Sequence, residues 1–161
     1  MGDRPRAISD YSEAIRIDPK DYEAHLNRGL VYLDDLKLEK AAADFTRAHQ
    51  LKPGEAWPLA NRGISYAWLH DHEKAQKDFD SARRLDPKNQ TVRRGEALIA
   101  LNEGDLPKAV QLFTIALDHD PEDRWSLFMR ADAYRRMGDD EKMEADLGKV
   151  KELGKAGNQK D

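Results

Sequence analysis

The sequence predicts an all-α protein made of stacked helix pairs, and three observations carry that expectation. Pro19, Pro53, Pro87 and Pro121 stand 34 residues apart. The same step carries Ala7 to Ala41, Ala75 and Ala109, Tyr11 to Phe45, Phe79 and Phe113, and Ala14 to Ala48, Ala82 and Ala116. Within each unit these apolar residues fall at i, i+4 and i+7, which is one face of a 3.6-residue helix. A unit this short cannot bury such a face alone, so neighbouring units must stack to form a core.

Taken in order, the helices are expected at 4–17, 21–34, 38–51, 55–69, 72–85, 89–102, 106–118, 123–137 and 140–153. Each unit pairs a helix A with a helix B. Helix A carries a small residue (Gly29, Gly63, Ala97, Ala131) and helix B another (Ala41, Ala75, Ala109). Small side chains let two helix backbones approach, and the aromatics at 45, 79 and 113 then fill the space between units. The repeating proline cannot continue helix B and turns the chain. Asp71, Gly104-Asp105 and Gly138-Asp139 mark the A-to-B turns, as glycine C-caps followed by aspartate N-caps. Pro58 and Pro107 fall in first turns, where proline is tolerated. The first helix has helix-B residues with no helix A before it, so the chain is expected to start in mid-repeat. The last helix is degenerate, with Met143, Leu147 and Val150 at the repeat positions and a charged outer face, as suits a cap. Asp34-Asp35, at a helix C-terminus where acids are disfavoured, has no account at this level.

A 34-residue period with Gly-x-x-Tyr (29–32, 63–66), then Ala-x-x-x-Phe, then Pro resembles the tetratricopeptide repeat, with Asn-Arg-Gly in two helices A. The resemblance covers about residues 4–153. It implies a right-handed superhelical solenoid of antiparallel helix pairs. The expected organisation is one solenoid over 1–153. Residues 4–19 form helix B of an incomplete repeat, 22–53, 56–87 and 90–121 full repeats, and 124–153 a degenerate capping repeat. Residues 154–161 form a tail.

Composition narrows the function. The 161 residues carry a net charge of -4, and blocks cut at 53, 87 and 121 each carry -1, so no segment offers a basic footprint for nucleic acid or anionic lipid. Cysteine is absent, which excludes disulfides and thiolate zinc sites. No apolar run approaches the ~18 residues of a membrane span, and the first residues lack the apolar core of a signal peptide. A cytoplasmic address is expected unless a leader was removed. His70-Asp71-His72 is the one tight ligand-like cluster, but it falls in a short turn where Asp71 serves as a cap. No phosphate loop, zinc-protease or nucleophile-elbow motif occurs. A non-enzyme is expected, with no catalytic residue, metal or cofactor.

Binding is the remaining class. The resemblance implies a concave groove lined mainly by helices A. Its candidates here are Asn27, Leu30, Trp57, Asn61, Ile64, Trp68, Arg94, Leu98, Trp125, Phe128 and Asp132. Such a surface suits a peptide or helix of a partner protein held by apolar anchors, and tryptophan and arginine are enriched among interface hot spots. The subclass that clamps acidic chaperone tails would need a Lys/Asn/Arg set where this chain has Leu26, Leu30, Asn61, Thr91 and Gly95. One match in five cannot hold two carboxylates. The competing expectation is a homo-oligomer: Ala7, Ile8, Tyr11, Ala14 and Ile15 of the unpaired first helix form an apolar face that docks on another copy. A third is that the chain is the interaction segment of a larger protein.

Overall fold

The computed structural model describes residues 4–157, which contain nine α-helices and no strand among them. They are α1 (Arg4–Ile17), α2 (Tyr22–Asp34), α3 (Leu38–Leu51), α4 (Ala56–Trp68), α5 (His72–Leu85), α6 (Gln90–Glu103), α7 (Leu106–His119), α8 (Arg124–Met137) and α9 (Asp140–Gly157). The expected boundaries hold to within a residue or so, except at the end. There α9 continues four residues into the segment assigned to a tail, because Lys-Ala-Gly after Gly154 contains no chain-breaking proline.

The all-α class is as expected, but the described chain divides into two compact units, one ending at Gly95 and the next beginning at Glu96. In the first, α1 packs on α2, α2 on α3, α3 on α4 and α4 on α5. In the second, α7 packs on α8 and α8 on α9.

Local chemistry sets the helix ends. Asp21 and Asp123 cap α2 and α8: their carboxylates accept from the amides of Ala24 and of Trp125 and Ser126. Asp71 and Asp105 do the same for α5 and α7. In each A-to-B turn one backbone bond closes the loop: Lys37 N to Tyr32 O, Asp71 N to Tyr66 O, Asp105 N to Ala100 O and Asp139 N to Tyr134 O, at 2.8–3.0 Å. Closing it places the residue just before each donor in left-handed conformation: Leu36 (φ 55°), His70 (φ 58°), Gly104 (φ 81°) and Gly138 (φ 77°). The structure also accounts for Asp35. Its carboxylate meets Lys37 Nζ at 3.0 Å and Arg4 Nη1 at 3.4 Å, and the Lys37 hydrogen bond holds it below the usual carboxylate range.

The core follows the repeat. Phe45, Phe79 and Phe113 are fully buried, as are Ala41, Ala48, Ala75, Ala82 and Ala109. Close approach depends on glycine. A Cβ at Gly29 would lie 2.8 Å from the Phe45 ring. The Phe79 ring is held between two glycines, Gly63 on α4 and Gly95 on α6, and a Cβ at either would overlap it.

Candidate functional site

An arginine fork recurs between helices and fixes how α2, α4 and α8 sit on their neighbours. Arg28 on α2 donates from Nε and Nη2 to the two oxygens of Asp44 on α3, at 2.7 and 2.8 Å, and from Nη1 to Ser12 Oγ on α1 at 3.0 Å. Arg62 repeats this with Asp78 (2.7 and 2.7 Å) and Thr46 (3.0 Å). In the second unit Arg130 repeats it with Asp146 (2.8 and 2.8 Å) and Thr114 (2.9 Å). One arginine therefore ties its own helix B to the helix B before it. The planar guanidinium suits this bidentate geometry, which lysine cannot reproduce. The carboxylate hydrogen bond raises the pKa of all three arginines. Sequence reading overlooked the fork, although its signal is the same 34-residue step: Arg28, Arg62, Arg130; Asp44, Asp78, Asp146; Ser12, Thr46, Thr114. Glu96 and Leu112 occupy the arginine and aspartate places in the remaining repeat.

His25, buried beside this network, has Nδ1 3.3 Å from Asp44 Oδ1 and Nε2 3.3 Å from the Pro19 carbonyl. Those distances suit a packed side chain. A cleft of about 330 Å³ opens among α3, α4 and α5, with His49, Arg62, Lys77 and Arg84 in its wall. His49 Nδ1 is buried with no hydrogen-bond partner. Burial, then the Arg62 charge, lower the His49 pKa against an opposing pull from Asp78.

The groove candidates separate once their burial is known. In the first unit Trp57 is 47% exposed, an unusual state for tryptophan on an ordered helix. Asn27, Leu30 and Trp68 are half-buried. Arg94, also half-buried, donates to Thr91 Oγ1 at 3.3 Å. Two candidates need correction here. Ile64 is buried, because its register on α4 faces the packed interior. Asn61 is buried as well, and its amide donates to the Trp57 carbonyl one turn back at 2.9 Å, so that group serves its own helix.

In the second unit Leu98 is fully buried and so is core, not groove. Trp125 is half-buried and packs edge-on against the Phe113 ring, with centroids 5.8 Å apart. Asp132 is drawn to Arg135 and to Arg136 Nη2 (2.7 Å) on its own helix. Phe128 stands out, 53% exposed.

The five self-assembly candidates on α1 are all half-buried. Ser12 points to α2 through Arg28, and Ile8 and Ile15 share its side of the helix, four residues before and three after. By helical register Ile8 and Ile15 lie nearer that α2-facing side than Ala7, Tyr11 and Ala14 do. His70 and His72 have ring centroids 5.9 Å apart, and among the described residues no group of three or more His, Asp or Glu could hold a metal ion. No helix of the described residues is long and apolar enough to cross a membrane.

Family models match this architecture along most of its length. A TPR repeat model matches residues 1–35, and two tetratricopeptide repeat models match 61–124 and 126–153. The chain belongs to the tetratricopeptide repeat family. Proteins of this fold generally mediate protein–protein interaction, and the family is typically a non-catalytic scaffold. Among solved structures, a tetratricopeptide repeat protein from Parabacteroides merdae ATCC 43184 is similar at 27% identity with a TM-score of 0.73. The match covers 92% of this chain and 58% of that one, so this repeat chain spans less than two thirds of that protein. YrrB, described as a TPR protein with an unusual peptide-binding site, is similar at 21% identity and TM-score 0.55, over 93% of this chain and 77% of its own. MamA from Desulfovibrio magneticus RS-1 is similar at 18% identity and TM-score 0.62, over 96% of this chain and 88% of that one. At those identities the last two likenesses speak for the fold alone. No curated protein matches the chain.

Proposed function

We propose that this repeat protein is a non-catalytic interaction module and that the helix-A surface of its first unit holds a peptide segment of a partner protein. The observation that carries the reading is Trp57. A tryptophan left half in water by an otherwise well-packed helix is an anchor awaiting an apolar side chain. Half-buried Asn27, Leu30 and Trp68 extend the surface with hydrogen-bonding and apolar groups. The peptide-binding relative YrrB supports the class, since it places such a site on the same fold. In the second unit the repeat places Trp125 at the Trp57 position, and Phe128, one turn on, is the exposed aromatic.

The test is selection of a random peptide library on the purified chain, followed by titration of the enriched peptides against Trp57→Ala. Loss of a hot-spot aromatic of about 2 kcal/mol or more corresponds to at least tenfold weaker binding. Thermal unfolding of Trp57→Ala should stay near that of the parent. Enriched peptides that bind the variant equally well would remove Trp57 from the site, and a failure to enrich any would remove the peptide reading.

A further inference from the structure

The cleft among α3, α4 and α5 carries charge that the chain does not balance. Helix α5 has four cations. Lys74 is paired with Asp71 and Arg83 with Asp80. The other two, Lys77 and Arg84, stand in the cleft wall, and among the described residues neither meets a carboxylate. Packing does not require them. At the Lys77 place the other helices B carry Ser9, Ala43, Gln111 and Ala145. At the Arg84 place Gln50, Asp118 and Glu152 serve as well, and the one other arginine, Arg16, is paired with Glu13.

The helix also gathers these two charges. Lys77, Ser81 and Arg84 fall at i, i+4 and i+7, on one face of α5. Arg84 Nη2 donates to Ser81 Oγ at 2.8 Å, and Ser81 Oγ donates to the Lys77 carbonyl at 2.9 Å. The guanidinium is thereby turned back along the helix toward the lysine. Like charges on one face repel, so an anion lying against both stabilises the arrangement. The rest of the wall selects the anion. Arg62 is already matched by Asp78. Burial, then the Arg62 charge, hold the His49 pKa down, so His49 adds no third charge at neutral pH. His49 Nδ1 remains a buried polar atom in this wall that the chain itself leaves unpaired. Leu59 and the 45%-exposed Leu85 supply an apolar side. The volume of about 330 Å³ lies at the low end for small-molecule sites.

We propose that this cleft binds a small organic phosphate monoester, its phosphate held by Lys77 and Arg84 and its apolar body lying against Leu59 and Leu85. Such a phosphate carries about two negative charges at neutral pH, which matches the two unbalanced cations. A carboxylate carries one and leaves a cation unmatched. The guanidinium fork suits two phosphate oxygens, and the ammonium serves as a point charge. The site is independent of the Trp57 surface, which uses none of these residues.

The test is titration of the full chain with phenyl phosphate, followed through its amide and His49 imidazole signals by nuclear magnetic resonance. Saturable shifts centred on His49, Lys77, Ser81 and Arg84 are expected. Inorganic phosphate lacks the apolar body and benzoate lacks the second charge, so each should bind the same place more weakly. Lys77→Gln and Arg84→Gln should each weaken phenyl phosphate about tenfold. Both side chains are exposed, so circular dichroism and thermal unfolding of these variants should match the parent. Lys74→Gln removes the same charge from the same helix outside the cleft and should leave binding unchanged. Absence of saturable binding, shifts centred elsewhere, or indifference to both cleft cations would each overturn the proposal. A Lys74→Gln loss equal to that of Lys77→Gln would reduce the effect to general attraction of anions and overturn it too. Inorganic phosphate or benzoate binding as tightly as phenyl phosphate would overturn the organic monoester. Trp57→Ala should bind phenyl phosphate unchanged, which keeps this test separate from that of the helix-A surface.

Discussion

Adding one methyl group at Gly95 should cost stability, whereas the same change at Gly148 should add it. Both glycines lie inside helices, where alanine is intrinsically favoured by about 1 kcal/mol. At Gly148 a new Cβ meets nothing within 4 Å, so the gain should appear nearly whole, at about 0.5–1 kcal/mol. At Gly95 it would lie 2.5 Å from Cε1 and 2.7 Å from Cε2 of Phe79, and nearer still to Cζ. Comfortable carbon contacts are about 3.5–4.0 Å, so the ring must retreat by about 1 Å or more. It has nowhere to go: Phe79 is fully buried, and the α4 backbone at Gly63 backs it so closely that a Cβ there would stand 2.7 Å from Cδ1. Overpacking of this kind costs about 1–3 kcal/mol, and here the upper end applies because both walls are backbone. After the helix gain, a net loss of about 2 kcal/mol is expected. Equilibrium urea unfolding, compared through midpoints at unchanged slope, measures it. Phe79→Leu combined with Gly95→Ala should lose less than the sum of the two single losses, because the smaller side chain relieves the overlap. A Gly95→Ala protein as stable as the parent would refute the reasoning, since no other contact in the structure could offset the overlap.

Other expectations concern charge and capping. Arg62→Met leaves Asp78 buried without its fork and should cost about 3 kcal/mol in urea unfolding, while Arg62→Met with Asp78→Leu should recover much of it. His49 prefers its neutral form in the fold, with its pKa below the ordinary 6.5. Below pH 6.5 the unfolded chain therefore binds the proton first, so this contribution is whole above that pH. It is lost as pH falls toward the folded value. His49→Gln should flatten that slope in urea midpoints measured from neutral to mildly acidic pH. Asp123→Ala removes the acceptor for two α8 amides and for Ser126 Oγ (2.7 Å). It should cost about 1 kcal/mol and speed hydrogen exchange in the first turn of α8.

The helices were legible because one rule, a 34-residue step, fixes caps, prolines and small residues together. The groove was less so, for a physical reason. Ile64 and Leu98 sit on helix-A positions where an apolar side chain serves a ligand or a neighbour equally well in one dimension, and only burial separates the two. Asn61 misled in the same way: an amide that can meet a peptide backbone can also meet its own helix, and it does. Trp57 and Phe128 are 47% and 53% exposed, which leaves each with surface that the fold does not use. The fork is harder to read, because Arg28 and Arg62 stand in Asn-Arg-Gly steps that the repeat alone explains and Arg130 stands before an alanine. The partner aspartate lies 16 residues on, across a turn, beyond the reach of any local pattern.

The four A-to-B turns demand one backbone shape and meet it with two kinds of residue. Gly104 and Gly138 adopt the left-handed region freely, whereas Leu36 and His70 are forced into it. That conformation costs an L side chain about 1–2 kcal/mol, against about 0.5–1 kcal/mol for the extra disorder that glycine brings to the unfolded chain. The first two hairpins are thus spring-loaded at their tips and the last two are not. Leu36 is also 65% exposed, so its side chain gives little back. Position 36 is therefore a place where a single change, leucine to glycine, should raise the heat tolerance of the first unit.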